Sequence, residues 1–171
     1  MISVEKYLSI LPDSSGYVQE SKASIVSKVD SGELILGQNG AHWTREMGNY
    51  GEMRTSTEFK EQGYVELTTA PMSLTSKIGP GIDHIFYKDD KYIVVDSKSG
   101  PGAHLGMTKS GPQLSDAWID PRLDKSVGKD VADIIREKML FENDKVFRMV
   151  SKVDHGEKTH HCRIRKADCR G

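Results

Sequence analysis

The sequence predicts a mixed α/β domain, and three observations carry that reading. A helical stretch is followed by three strand-like segments, then further helices, then two closing strands. The segments "IDHIFYK" and "KYIVVDSKS" bracket a short charged turn at Asp89 and Asp90, as the two arms of a hairpin do. The stretch "KDVADIIREKMLFEN" repeats apolar residues at helical spacing: Val131, Ile134, Ile135, Met139 and Leu140. A chain of 171 residues is long enough for one ordinary domain with a real core.

Taken in order, residues 1–42 read as a linker or loosely attached segment, and residues 43–171 as the domain. Eight serines, four glycines and a proline fall within residues 1–40, among only short apolar runs. From Trp43 the pattern tightens, and Thr44 is placed to cap a helix through "TREMGNYGEMRTSTEFKEQ". Met47, Tyr50 and Arg54 fall on one stripe of that helix; Asn49, Glu52, Ser56 and Phe59 fall on another. Gly48 and Gly51 each cost about 1 kcal/mol relative to alanine there, and close approach of the helix to a sheet would compensate. "GYVELTT" alternates as a strand, and "APMSLTSKIGPG" reads as a turn-rich connection. Gly-Pro-Gly runs at 79–81 and 100–102 punctuate the hairpin at both ends, without the glycine spacing of a phosphate-cradling loop. "PQLSDAWID" reads as helical, and "KVFRMVSKV" and "THHCRIRK" as closing strands.

Charge and composition exclude several classes. The formal net charge is only −1, but residues 145–171 carry eight basic against three acidic residues. No apolar run approaches the roughly 20 residues of a membrane-spanning helix, so stable membrane insertion is not expected. The N-terminus does not read as a signal peptide. Cys162 and Cys169, with His155, His160 and His161 nearby, match neither a structural zinc spacing nor a disulfide framework. No G-x-S-x-G elbow favours a serine hydrolase.

The hairpin carries the chemistry. Side chains alternate faces along a strand, so Asp96 and Lys98 point the same way, with Val94. Counting outward from the turn places Asp83 opposite Asp96, with Cβ atoms about 4.5 to 5.5 Å apart. Two carboxylates that close repel unless one is protonated or a cation lies between them, and a hard divalent cation takes carboxylate oxygens as ligands. A solvated strand end is the plain alternative. "YIVV" directly before Asp96, however, implies a strand buried on both faces, and a buried charge persists only when paired or metal-bound. Glu52 on the glycine-bearing helix supplies a third carboxylate.

Glu52, "GID" at 81–83 and "DSK" at 96–98 together resemble the PD-(D/E)xK nuclease pattern, with Ile82 standing where the name has proline. "GNYGEM" at 48–53, "GIDHIF" at 81–86 and "QLSDAWI" at 113–119 are similar to the C-terminal toxin domains of contact-dependent growth inhibition (CdiA-type) proteins. The resemblance covers roughly residues 44–165. It implies a restriction-endonuclease-like core, a central mixed β-sheet flanked by helices. It also implies a divalent metal cofactor, zinc or magnesium, held by Asp83, Asp96 and Glu52, with Lys98 orienting or activating the attacking water. Gln113 matches a glutamine near the site in several nuclease branches; a helix-capping or surface amide is the alternative.

By the same resemblance the chain is expected to be part of a larger, cell-surface-delivered exoprotein acting as a DNase in the cytoplasm of a target bacterium. A dedicated immunity protein neutralises such a toxin. A tRNase on the same fold and a non-catalytic nucleic-acid-binding module remain as alternatives. Arg163, Arg165 and Lys166 on the basic C-terminal segment are candidate phosphate contacts. The loop "SGPGAHLGMTKSG", 99–111, is either a plain surface loop or a protruding β-hairpin that offers His104, Leu105 and Met107 to the immunity partner by strand addition.

Overall fold

Asp89 and Asp90 both take left-handed backbone, with φ of 50° and 57°. Two successive residues of that kind make the turn whose twist matches a hairpin. They join β2 (His84–Lys88) to β3 (Lys91–Ser99) in antiparallel register, His84 opposite Val95 and Lys88 opposite Lys91. The computed structural model describes residues 20–38, 42–100, 102–154 and 160–164, the last five by backbone alone.

The hairpin is the centre of a five-stranded mixed sheet. β1 (Val65–Glu66) pairs antiparallel with β2, β6 (Val146–Val153) pairs parallel with β3, and β7 (His160–Ile164) pairs antiparallel with β6. A second hairpin, of two residues a strand, joins β4 (Met107–Thr108) to β5 (Gly111–Pro112). The expected strand 63–69 is shorter than its alternation suggests, although Leu67 still donates to the Ile85 carbonyl at 2.8 Å.

Helices cover both faces. α2 (Trp43–Glu61) lies on the face where its Phe59 stacks on Phe86 beside Ile93 and Val95. α3 (Asp116–Val127) and α4 (Lys129–Phe141) cover the other face, packing Trp118, Ile119, Leu123, Val131 and Ile135 on Ile85, Tyr92, Val94 and Val150. Tyr92, Ile93, Val94 and Val95 are all buried, which is the two-sided burial that the "YIVV" run implies. An ion pair from buried Arg148 on β6 to Asp116 ties the start of α3 to the sheet.

Several expectations are corrected. Residues 20–38 are not a loose linker: Ser21 caps α1 (Lys22–Asp30), and Val26, Val29 and Leu36 bury against Met47, Tyr50 and Met53 of α2. Tyr50 donates to Asp30 at 2.5 Å and Arg54 pairs with the same carboxylate at 2.8 Å, so α1 is latched to α2 by polar contacts as well. Residues 1–19 lie outside the described residues. α2 begins at Trp43 after His42, and Thr44 does not cap it. The helix sought in 112–120 starts only at Asp116, because Ser115 is its cap and accepts from the Trp118 N–H. Leu140, part of the apolar pattern expected of α4, is 76% exposed, and Phe141 beside it is 80% exposed.

Candidate active site

Asp83 precedes β2 by one residue, and its Oδ2 accepts from the backbone N–H of Ser97 on β3 at 2.8 Å. The hairpin register thus continues to place Asp83 beside Asp96. Asp96 is buried on the α3 side of the sheet, and Lys98, two residues on, brings its Nζ to 2.6 Å from Asp96 Oδ2. That ion pair is the close contact the buried Oδ2 makes among the described residues.

Glu52 arrives from α2. A methyl group at Gly51 would sit 2.7 Å from Ser99 Cβ, so only glycine lets the helix press this closely on the end of β3. Gly48 has no such contact with the sheet; a methyl there would meet only Ile78 at an ordinary 3.7 Å. Buried hydroxyls lock the same seam: Thr55 and Ser151 oxygens lie 2.8 Å apart, and Ser97 donates to Thr55 at 3.0 Å. Ser97, one position off the Asp96–Lys98 face, therefore serves packing and orientation.

The electrostatics are those of negative charges crowded away from water. Burial pushes Glu52 up to about 8, and Asp83 and Asp96 add to the rise against the pull of Lys98. Burial and then Asp83 push Asp96 up to about 6. Burial also raises Asp83, opposed by His84, the Ser97 N–H and Lys98. Perturbation of this kind, shared among several groups beside a cleft, marks functional sites more often than structural ones. The donors are all hard carboxylate oxygens, crowded beside a single lysine, which suits a divalent cation. Among the described residues no three His, Cys, Asp or Glu side chains converge closely enough to share one ion. Glu52 therefore approaches the Asp83–Asp96 pair without closing on it.

Gln113 is corrected in place though not in neighbourhood. It lies in the turn between β5 and α3, not on the helix. Its Oε1 accepts from the Gly106 N–H at 2.7 Å, which turns Nε2 toward Asp96 Oδ1 at 3.5 Å, the outer limit for a hydrogen bond. Leu114, with φ of 66°, makes the bend that allows this.

The loop candidates divide. Met107 is 75% exposed and His104 is exposed, but Leu105 packs against the core and is not available as a surface contact. Arg163 lies on β7 opposite Met149 by backbone register, and Arg165 and Lys166 lie outside the described residues. So do His155 and Cys169, while His160, His161 and Cys162 are described on β7 by backbone alone.

Sequence reasoning missed one element of the neighbourhood. Glu66 on β1 is buried, accepts from Ser56 at 2.6 Å, lies 2.8 Å from His84 Nδ1, and is approached by Lys60 at 3.2 Å and Lys22 at 3.8 Å. Burial alone would raise it, yet these partners hold it at about 2. His84, adjacent to Asp83, is fully buried against Phe86, and its Nε2 has no hydrogen-bond partner. Nothing in "GYVELTT" distinguishes this glutamate from an exposed one. Comparison of the chain with protein families, with characterised proteins and with solved structures found no match.

Proposed function

We propose that the chain is a metal-dependent endonuclease that hydrolyses phosphodiester bonds of DNA, built on a PD-(D/E)xK arrangement within a restriction-endonuclease-like core. The observation that carries this reading is the meeting, at one end of the hairpin, of two neighbouring buried carboxylates and a lysine, with a third carboxylate approaching from α2. Three acids with raised proton affinity beside one lysine are more than a structural ion pair requires.

In this reading Asp83 and Asp96 hold the metal ion, zinc or magnesium, and Glu52 is the further ligand. When bound, the ion lowers the proton affinity of a water and offsets charge on the scissile phosphate. Lys98 Nζ, held beside Asp96, orients the attacking water and stabilises negative charge developing on the phosphate oxygens. Gln113, fixed by Gly106, steadies Asp96 from the other side. Arg163, Arg165 and Lys166 add phosphate contacts from the C-terminal segment.

The resemblance of "GNYGEM", "GIDHIF" and "QLSDAWI" to CdiA-type toxin domains supports placing this nuclease within a delivered exoprotein, acting in a target bacterium and countered by an immunity protein. The β4–β5 hairpin, with exposed His104 and Met107, is the proposed point of strand addition for that partner. Among the described residues no helix is long and apolar enough to cross a membrane.

The test is incubation of the purified chain with supercoiled plasmid and, separately, with total tRNA, each with magnesium, zinc or chelator. Nicking of plasmid that requires the metal and disappears in Asp96→Asn is the expected result. Cleavage confined to tRNA moves the substrate to RNA on the same site. Undiminished cleavage by Asp96→Asn sinks the assignment.

A further inference from the structure

We infer that the cleft leading away from Glu52 and Asp83 is the track for the phosphodiester backbone, with Lys77 on one wall and Lys125 on the other as its phosphate contacts. The inference rests on the nuclease reading and adds to it where the substrate lies. The cleft encloses about 430 Å³ and takes in Asn49, Glu52, Thr68, Lys77, Asp83 and Lys125. A second depression of about 300 Å³ adjoins it, sharing Pro80, Gly81 and Lys125 and adding Arg122 and Ser110. Together they make a continuous path that begins at the carboxylates and is flanked by cations.

Its walls are anchored to the elements that present the site. Asn49 is buried on α2, one turn before Glu52, and its Nδ2 donates to the carbonyls of Leu74 at 2.7 Å and Ser76 at 2.9 Å. The loop that carries Lys77 therefore hangs on the helix that carries Glu52. On the other side Ser126 donates to the Arg122 carbonyl at 2.8 Å and stands 3.4 Å from the N–H of Ile82, the neighbour of Asp83. Arg122 is fixed in turn, its guanidinium 4.6 Å over the Trp118 ring and Nη1 donating to the Trp118 carbonyl at 2.7 Å.

Charge identifies the occupant. Several cations outside the cleft are taken up by acids: Lys129 by Asp133, Arg136 by Asp120 and Asp124, and Lys138 and Lys145 by Asp90. Lys77 and Lys125 are exposed and, among the described residues, have no acidic partner. Uncompensated cations along a cleft that opens on a carboxylate site suit a polyanion whose flanking phosphates bind the lysines while one phosphodiester reaches the carboxylates.

The experiment measures binding of the full chain to a fluorescein-labelled DNA oligonucleotide by anisotropy, with chelator present so that nothing is cut, across a series of KCl concentrations. The double variant Lys77→Glu/Lys125→Glu is expected to lose about 10- to 100-fold in affinity at low salt and to lower the slope of log K against log [KCl] by about 2. Lys129→Glu on α4, the same charge change as either single variant, should bind as the parent does. Should circular dichroism show the double variant unfolded, each single variant is expected to lower the slope by about 1. Parent-like affinity and slope in the folded variants overturn the track while leaving the nuclease reading intact, provided that the parent cuts plasmid. A parent that neither binds nor cuts overturns both.

Discussion

Two groups of buried carboxylates lie close together in this sheet, and they are treated in opposite ways. Glu66 is surrounded by His84, Ser56, Lys60 and Lys22 and is held ionised, down at about 2. Glu52, Asp83 and Asp96 have chiefly one another and Lys98, and all three are pushed up. Both groups are removed from water at similar cost, so the difference is in their partners. Compensated charge is what a stable scaffold requires. Charge left in mutual repulsion costs stability and persists where another cation is meant to join it, which is why the second group reads as the site and the first as its support.

The sharpest way to break this comparison is to neutralise one member of each group. Asp96→Asn is expected to lower cleavage by about 10³-fold or more while leaving the melting temperature unchanged or higher, because it removes repulsion and not packing. Lys98→Ala should lower cleavage comparably. Glu66→Ala should do the reverse in kind: it strands His84 and two lysines beside a buried gap, at about 3 kcal/mol of stability, with activity retained wherever the variant is folded. Plasmid nicking and thermal melts on the same preparations check all three. Equal loss of stability in Asp96→Asn and Glu66→Ala would abolish the distinction.

What was legible in the sequence follows the range of the interactions involved. The turn at Asp89 and Asp90 is local, and from it the register could be counted to bring Asp83 beside Asp96. The "YIVV" run and the glycine beside Glu52 are likewise statements about immediate neighbours, and burial and the Gly51–Ser99 contact agree with them. The Glu66–His84 pair joins residues on two different strands, and its cationic neighbours come from α1 and α2, so no periodicity signals it. The attachment of α1 rests on Asp30 meeting Tyr50 and Arg54, and the serine-rich composition around it hides that contact. Gln113 lies outside the helix that its segment predicts, because apolar spacing does not register the positive φ of Leu114 or the Ser115 cap. The exposure of Leu140 shows the same limit: helical spacing marks a face but not how far along it burial extends.

A smaller effect sharpens the comparison from the side of geometry. Gly51→Ala would set a methyl 2.7 Å from Ser99 Cβ, and the seam of Thr55, Ser97 and Ser151 beneath leaves the helix little room to yield except by lifting at Glu52. Displacement of about 1 Å at a catalytic group can cost on the order of 100-fold. Gly51→Ala is expected to lose about 10- to 100-fold in turnover, with the fold retained by circular dichroism. Gly48→Ala, where the nearest atom is 3.7 Å away, should stay within about twofold and gain helix stability. Equal effects at the two glycines would remove Glu52 from the site.

The smallest effect is the pH dependence of stability, and its two limbs belong to the two groups. Glu66 has a folded value of about 2, below its unfolded value. Its contribution is therefore complete above about pH 4.5 and is lost as pH falls toward 2. Asp96 and Glu52 are raised to about 6 and about 8, so each binds a proton more tightly folded than unfolded. Their cost is absent below about pH 4, accrues as pH rises, and is complete only near pH 8. Stability should peak near pH 4 to 5 and fall toward pH 8 as both carboxyls lose their protons. In thermal melts with chelator present, Asp96→Asn should flatten the alkaline limb and leave the acid limb alone, while Glu66→Gln should flatten the acid limb only. Added magnesium or zinc should raise the melting temperature at pH 8 more than at pH 5, because the competing protons have left. If both variants flatten the same limb, or the ion acts equally at the two pH values, the two groups are not the separate scaffold and site described above.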